Sequence, residues 1–341
     1  MRVQKWGSRR GLKRYRCEQK HNFSIDFRQK PKPFWLEYFA GVPFRTLASG
    51  REVSVGTAVR LLKEELAALP RNEDITKQYC TRWSGVVCVD GVYVKVKGMG
   101  VMVFLYATDY AKHDIPTGIL DFAENGAAFL RLFTMLKDVG YPLRYVVADE
   151  APALKGALYK VFPETEVQLC HVHVLRNIRA MIHLSETDAM LSPFYRDIKK
   201  LLDTEGEGRR RTIWQEMARA QTIRDGEWEV LKSIRSRWDD LFRYETARRA
   251  GFSCPNTNNL IEGYNNHFKS RVKSIKGFEM ISSAEQFVNA WMIRRRFTPF
   301  RECGGHFKHL NGHTPFSQTR NPGLPYPDIQ FQISPKIPTQ E

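Results

Sequence analysis

The chain has 341 residues, 42% of them hydrophobic, which is more than one small core needs and predicts a folded protein of two or three units. Lys and Arg number 53 against 37 Asp and Glu, and the net charge of +16 favours a polyanionic partner such as nucleic acid. The six scattered cysteines argue against a disulfide framework, and no apolar run approaches the roughly 20 residues that cross a bilayer, so we expect a cytoplasmic protein with no membrane span.

Residues 1–30 form a basic segment in which Arg and Lys alternate with Trp and Tyr, a composition suited to phosphates and bases. Cys17 and His21 resemble the second half of a zinc ribbon. No cysteine pair precedes them, and two ligands cannot complete a tetrahedral site. We therefore expect a basic arm that is the remnant of a decayed zinc ribbon.

Residues 31–70 carry three short apolar patterns, which predict three helices and a helix-turn-helix DNA-binding region. Ser54 is placed to cap the third helix. Thr57 and Arg60 then face outward, where a recognition helix meets the major groove of DNA. Any small three-helix unit would give a similar pattern.

Residues 80–184 switch to apolar strands separated by amphipathic helices. The order is three strands, helix, strand, helix, strand, helix, which predicts an α/β fold with a mixed five-stranded sheet. Asp90 and Asp149 each follow an apolar run, VVCV and VVA. A charge in such a place is costly unless a metal or a partner compensates it.

The remaining chain divides into three parts. Residues 185–250 are charged and helical and predict an all-helical insertion. Residues 251–313 return to the core and carry an acid, Glu262. Residues 314–341 are rich in proline and lack periodicity, so we expect an extended tail.

Residues 257–273 are predicted to form a helix in which amide and basic side chains surround Glu262. Ile261, Tyr264 and Phe268 define the buried stripe at about 100° per residue. The opposite face presents side chains suited to a phosphodiester, and an ordinary solvated glutamate is the plainer interpretation of this helix alone. The members of this face are Asn259, Glu262, Asn266, Lys269 and Lys273.

Four motifs in order resemble the DDE transposases, specifically the Mutator-like insertion-sequence group: VVCVDG, VVADEAPAL, CHVHVLRNI and TNNLIEGYNNHFK. The resemblance extends from about residue 85 to 300 and implies an RNase H-like fold. It assigns Asp90, Asp149 and Glu262 as the catalytic acids. It also places Cys170 and His173 in a Cys-x-x-His signature, followed by Arg176, which we expect to contact DNA.

The resemblance implies a DNA transposase that cleaves transposon ends and transfers the 3′-OH into target DNA. Two Mg²⁺ ions, for which Mn²⁺ can substitute, would be held by the three acids, with Asp90 bridging, Asp149 on one ion and Glu262 on the other. The expected partners are the terminal repeats and the target DNA. A homodimer or larger assembly on DNA, associated with the nucleoid, is expected from the same resemblance.

A zinc site is an alternative use of the Cys-x-x-His spacing. Cys170 and His173 supply half of a tetrahedral set, and His309 and His313 near the C-terminus offer the other half, in a stretch that also holds Cys303 and His306. The competing account makes Cys170 a buried thiol and gives His173 a hydrogen bond to DNA or to a carboxylate.

Other charged residues have plainer interpretations. Glu150 and Asp109 are the nearest alternatives as metal ligands, although surface or turn roles are more ordinary. The residues 294–296, all Arg, are predicted to hold phosphates.

Two other functions fit the same sequence. One is a domesticated or inactive transposase descendant that only binds DNA, and the other is a different RNase H-like nuclease that cuts branched DNA without strand transfer.

Overall fold

A computed structural model of the chain describes residues 3–9, 12–18, 20–25, 33–150, 152–220, 224–275 and 277–327. The basic N-terminal segment folds as a three-stranded antiparallel sheet of β1 (Val3–Arg9), β2 (Leu12–Cys17) and β3 (Asn22–Ile25). Cys17 and His21 flank its second turn, where the Cys17 amide donates to the His21 carbonyl at 3.1 Å. This segment therefore forms paired strands, whereas the sequence predicted a basic arm.

Three short helices follow, α1 (Phe34–Phe39), α2 (Phe44–Ser49) and α3 (Val55–Ala67). The predicted cap is present, because Ser54 Oγ accepts a hydrogen bond from the Thr57 amide at 3.1 Å. The helices share their core with the rest of the protein, and the Phe39 ring stacks on Phe287 at 4.6 Å between centroids. A fourth helix, α4 (Asn72–Tyr79), leads into the central sheet.

The central sheet has five strands in the order β6-β5-β4-β7-β8. Neighbours among the first three strands are antiparallel, while β4, β7 and β8 run parallel, so the predicted mixed five-stranded sheet is confirmed. Its members are β4 (Val86–Val96), β5 (Gly100–Asp109), β6 (Thr117–Asp121), β7 (Tyr145–Ala148) and β8 (Glu166–Leu169).

Three helices connect or follow these strands: α5 (Gly126–Asp138), α6 (Pro152–Val161) and α7 (His171–Met181). The strands β5 and β7 are buried along most of their length, as expected of a sheet covered on both faces.

The segment after α7 is helical throughout its described part, in agreement with the predicted insertion. It contacts the sheet edge at β8, where Gln168 Nε2 donates to the Leu241 carbonyl at 2.9 Å and the Tyr244 amide donates to Gln168 Oε1 at 2.7 Å. Its helices are α8 (Glu186–Leu191), α9 (Pro193–Asp203), α10 (Glu207–Arg219), α11 (Asp225–Ser236), α12 (Trp238–Leu241) and α13 (Arg243–Arg249).

The chain then returns to the sheet through α14 (Asn259–Lys273) and α15 (Ile281–Phe297), followed by a 3₁₀ helix (Gly305–Leu310) and α16 (Pro315–Thr319). The prediction of an extended tail from residue 314 is wrong for α16. Phe316 is fully buried and stacks on Phe297 at 4.6 Å. A five-residue helix is too short to show a periodic pattern, but the Thr314 side chain caps it by accepting from the Ser317 amide, and Phe316 packs it onto the core.

Among the described residues, no helix combines the length and apolar character that a membrane span requires.

Candidate active site

Asp90 lies in the middle of β4, which continues to Val96 beyond it, and not at the end of a strand. Its carboxylate is held from two sides. Oδ1 accepts from the Gly91 amide at 2.8 Å, and Oδ2 accepts from Asn265 Nδ2 at 2.7 Å. Burial and the negative charge of Asp149 raise the Asp90 pKa to about 7. Asp149 is therefore close enough for the two acids to repel each other.

Asp149 follows β7 directly, as predicted, and contacts His173 of α7. His173 Nδ1 lies 2.5 Å from Asp149 Oδ1, and His173 Nε2 lies 3.4 Å from Glu262 Oε1. Burial lowers the His173 pKa, but its contacts with Asp149 and Cys170 outweigh this and raise it to about 10. A positively charged imidazole thus stands between two of the three predicted catalytic acids.

Glu262 is placed by the start of α14. Asn258, the residue before the helix, donates its amide to Cys170 Sγ at 3.2 Å and its side-chain Nδ2 to the Val89 carbonyl at 3.0 Å. The second bond attaches the start of α14 to β4, one residue from Asp90, and the first attaches it to the residue that precedes α7. The buried stripe of Ile261, Tyr264 and Phe268 is as predicted.

One group of side chains in the described part of the chain has the geometry of a metal site. The ligand atoms of Cys170, His173 and Glu262 lie within 4.8 Å of one another. His309 and His313 do not join this group, and both are exposed. The structure therefore does not assemble the split zinc site that the sequence suggested. Asp90, Asp149 and Glu262 do not form so tight a set by themselves.

Glu124 is an acid of this site that the sequence interpretation missed. Its Oε2 lies 3.3 Å from the Tyr93 hydroxyl, and a Cβ at Gly91 would approach the same oxygen to 3.2 Å. Burial raises the Glu124 pKa, the Tyr93 hydroxyl lowers it, and the charge of Asp149 raises it further. Its sequence, DFAENG, is typical of a turn, and only the pairing of β6 with β5 would have brought it to Asp90.

The two alternative acids have structural roles. Asp109 is fully buried and accepts hydrogen bonds from the Ser84 amide at 2.7 Å and the Tyr141 hydroxyl at 2.8 Å. Glu150 forms an ion pair with Arg237 of the insertion. His171, beside the signature, points away to the Leu241 carbonyl at 2.7 Å.

The residues predicted to contact DNA are mostly at the surface. On α14, Asn259, Asn266, Lys269 and Lys273 are exposed, and so is Arg176 on α7.

In the N-terminal helices, the Thr57 hydroxyl bonds to Ser54 Oγ at 2.9 Å, and the exposed Arg60 pairs with Glu64 at 2.6 Å. Both residues are on α3.

The prediction that Arg296 holds a phosphate is wrong. Its side chain is fully buried, and its Nε donates to Asp114 Oδ1 at 2.8 Å. Further bonds go to Thr76 Oγ1 at 2.7 Å and to Asn72 Oδ1 at 3.0 Å. The three consecutive arginines lie on one helix, so only some of them can face outward.

The site therefore joins acids from a central strand, from the end of the neighbouring parallel strand and from a late helix. The model of the Mutator family of transposases matches residues 62–296, which is well over half of the chain. The chain belongs to this family.

A curated relative is the transposase for insertion sequence element IS1201 of Lactobacillus helveticus, 24% identical over 182 residues. That alignment covers 48% of this chain and 43% of the relative, so the match spans less than half the length of either protein.

Two solved structures resemble this chain weakly. The Drosophila P element transposase strand transfer complex aligns with a TM-score of 0.33 and 10% identity over 85% of this chain and 91% of that one. The simian T-cell lymphotropic virus intasome in complex with PP2A regulatory subunit B56 gamma gives a TM-score of 0.23 and 10% identity over 58% and 74%.

Proposed function

We propose that this protein is a DNA transposase that cleaves the ends of its mobile element and joins the freed 3′-OH to target DNA. The observation that carries the proposal is that His173 contacts both Asp149 and Glu262, at 2.5 and 3.4 Å, while the charge of Asp149 together with burial raises the pKa of Asp90. The three acids come from distant parts of the chain. Membership of a transposase family gives a chemical reason for bringing them to one place.

The sheet supports an RNase H-like fold. Its strand order, with three antiparallel strands followed by two parallel ones, is the arrangement the resemblance implies. The helical insertion enters between β8 and α14, so Glu262 reaches the site from a late helix. We further propose that α1 to α3 form a helix-turn-helix that reads the terminal repeats through Thr57 and Arg60.

The three acids are suited to binding a divalent metal ion. Asp149 Oδ1 and Glu262 Oε1 are buried, face the His173 ring at 2.5 and 3.4 Å, and have no hydrogen bond of normal geometry among the described residues. The raised pKa of Asp90, caused by burial and by Asp149, marks a concentration of negative charge that a cation would relieve. Oxygen ligands suit Mg²⁺, with Mn²⁺ as a substitute. When bound, a pair of such ions activates the attacking oxygen and stabilises the leaving one during displacement at phosphorus.

The other residues of the site orient these acids. Asn265 fixes one oxygen of Asp90 while leaving its remaining lone pairs available. His173 holds Asp149 and Glu262 on either side of one ring. The exposed Lys269 and Lys273 continue along α14 and are suited to holding the DNA backbone without reading its sequence.

Zinc is a second candidate at the same place, because Cys170 and His173 supply the soft ligands that Zn²⁺ prefers. Metal analysis of the purified protein, compared with Cys170→Ser, separates the two. Bound zinc that disappears in the variant supports this site, and a metal-free wild type contradicts it.

The test of function is cleavage of duplex DNA carrying the ends of the element, in the presence of Mg²⁺. We expect Asp90→Asn, Asp149→Asn and Glu262→Gln each to abolish cleavage while DNA binding is retained. A strand-transfer product distinguishes a transposase from a nuclease that cuts branched DNA. Binding without any cleavage by the wild type would identify a descendant that only binds DNA.

The number of chains on paired ends, expected to be two or more, can be measured by light scattering of the DNA complex.

A further inference from the structure

A cleft of about 290 Å³ lies between the N-terminal helices and the helices α14 and α15. The turn between α1 and α2 forms one wall, at Phe39 and Gly41, and Trp291 contributes to another. The cleft is lined by four basic side chains: His267, Arg271, Arg294 and Arg295.

These cations have no acidic counterpart. The described residues that line the cleft include no Asp or Glu, and within the described chain none of the three arginines forms an ion pair with a carboxylate. Arg237 and Arg296, by contrast, each have such a partner. The cleft is therefore a concentration of uncompensated positive charge.

Aromatic rings hold two of the three guanidinium groups in place, those of Arg271 and Arg295. Arg271 lies 4.1 Å from the Tyr38 ring centroid, and its Nη1 donates to Ser274 Oγ at 3.2 Å. Arg295 lies 4.2 Å from the Tyr264 ring centroid. The Nε atoms of both arginines are buried without a hydrogen-bond partner among the described residues.

Arg294 has no such ring contact within the described residues. Burial lowers the Arg294 pKa most, and the positive charges of Arg295 and Arg271 lower it further, because the three like charges repel one another. An anion between them removes this repulsion. Arginine forms paired hydrogen bonds with phosphate, so a phosphate group fits the donors better than a single-atom anion does.

We propose that this cleft binds a phosphate of the DNA backbone, an inference that rests on the proposed function for DNA as the substrate. Arg271 follows Glu262 by nine positions on α14. At about 100° and 1.5 Å per residue, it is turned by roughly 180° from Glu262 and displaced by roughly 13 Å along the helix. The cleft therefore lies on the side of α14 opposite Glu262, and the phosphate that it binds is away from the reacting bond.

The cleft also connects two units of the fold. Because Phe39 and Gly41 belong to the N-terminal helices, the cleft is complete only when those helices pack on α14 and α15. DNA bound there contacts the unit proposed to read the terminal repeat and the helix that carries Glu262. The cleft thus joins the proposed recognition unit and α14 in one DNA-binding surface, on the side of α14 away from Glu262.

The test measures the affinity for a fluorescently labelled linear duplex of mixed sequence across a range of salt concentrations, in buffer with EDTA. Arg294→Gln and Arg271→Gln are compared with Lys160→Gln, a charge-matched change at the exposed far end of α6. Loss of one phosphate contact is expected to reduce the slope of log K against log salt by about 0.9 and to weaken binding about tenfold at low salt. Lys160→Gln is expected to retain the wild-type slope.

Arg294→Gln is the more informative variant, because Arg271 also supports Tyr38 and its loss affects packing. Thermal melting confirms that each variant is folded. If Arg294→Gln keeps the slope of Lys160→Gln, the cleft does not bind phosphate. A wild type that fails to bind DNA contradicts both this inference and the proposed function. A reduced slope in a protein that never cleaves DNA supports the cleft and contradicts the catalytic proposal alone.

Discussion

Asn265 lies one turn after Glu262 on α14 and donates a hydrogen bond to Asp90 Oδ2 at 2.7 Å. The same side chain accepts from the Tyr106 hydroxyl at 2.8 Å, so its amide orientation is set from the sheet. One residue thus connects the helix of the candidate catalytic glutamate to the strand of the first aspartate. If both acids hold metal, Asn265 is a positioning residue that determines their spacing.

We expect Asn265→Ala to lower the rate of DNA cleavage by about 10- to 100-fold, the range typical of residues that orient metal ligands. The Mg²⁺ concentration at half-maximal rate should rise, because Asp90 loses the bond that orients it. Cleavage rates over a magnesium titration measure both effects.

Gln215→Ala, which removes an exposed amide from the insertion, is the matched control and should change neither quantity. A lower rate for Asn265→Ala with an unchanged magnesium dependence would indicate a packing role only.

A second prediction concerns the effect of His173 on metal binding, which can be measured without catalysis. Its charged ring lies between Asp149 and Glu262, so it occupies the position in which a cation would neutralise both. His173→Ala leaves the two acids without that charge. We expect the variant to melt at a lower temperature than the wild type in EDTA and to gain more thermal stability from Mg²⁺.

His183→Asn is a suitable control, because His183 is exposed and has a positive φ of 54° that Asn tolerates. It should respond to Mg²⁺ as the wild type does. An equal or smaller Mg²⁺ response in His173→Ala would mean that His173 helps to bind the metal and does not compete with it.

Local sequence patterns predicted those features that depend on neighbours along the chain. The buried stripe of α14, the Ser54 cap and the position of Asp149 after β7 follow from helix periodicity, capping chemistry and strand burial. Family resemblance supplied Glu262 as the third acid, since an exposed helix glutamate carries no signal of its own.

Features that depend on which distant segments meet were missed or assigned wrongly. Glu124 reaches Asp90 only through strand pairing, and His309 lies outside the group that Cys170 forms with His173 and Glu262. Arg296 was taken for a phosphate contact because a run of arginines usually faces solvent. Its buried partner, Asp114, is 182 positions away in the sequence.

A third prediction concerns pH and the helical insertion. Glu245 is largely buried and bonds to Arg210, whose Nη2 donates to Oε2 at 2.9 Å. The hydrogen bonds from Arg210 lower the Glu245 pKa to about 2. An unfolded glutamate titrates near about 4.3, so the stabilisation is complete above that pH and is lost as the pH falls toward about 2.

Glu245→Gln should therefore reduce the free energy of unfolding by about 3 kcal/mol near neutral pH and by roughly half as much near pH 3. Urea unfolding of both proteins at several pH values measures the difference. Glu229→Gln, which removes an exposed acid of α11, should show little change at any pH. A constant difference for Glu245→Gln across the acid range would contradict the assigned pKa shift.

The last prediction separates structural from DNA-binding arginines on α15. Arg296 and Asp114 are both fully buried and form two hydrogen bonds, at 2.8 and 3.0 Å. Arg296→Gln leaves Asp114 as an unpaired buried charge, and we expect it to reduce the free energy of unfolding by about 3–5 kcal/mol. Arg301→Gln, at an exposed position, should cost less than about 0.5 kcal/mol. Urea unfolding provides the measurement for both. A folded Arg296→Gln protein of wild-type stability but weaker DNA binding would restore the phosphate role that its burial argues against.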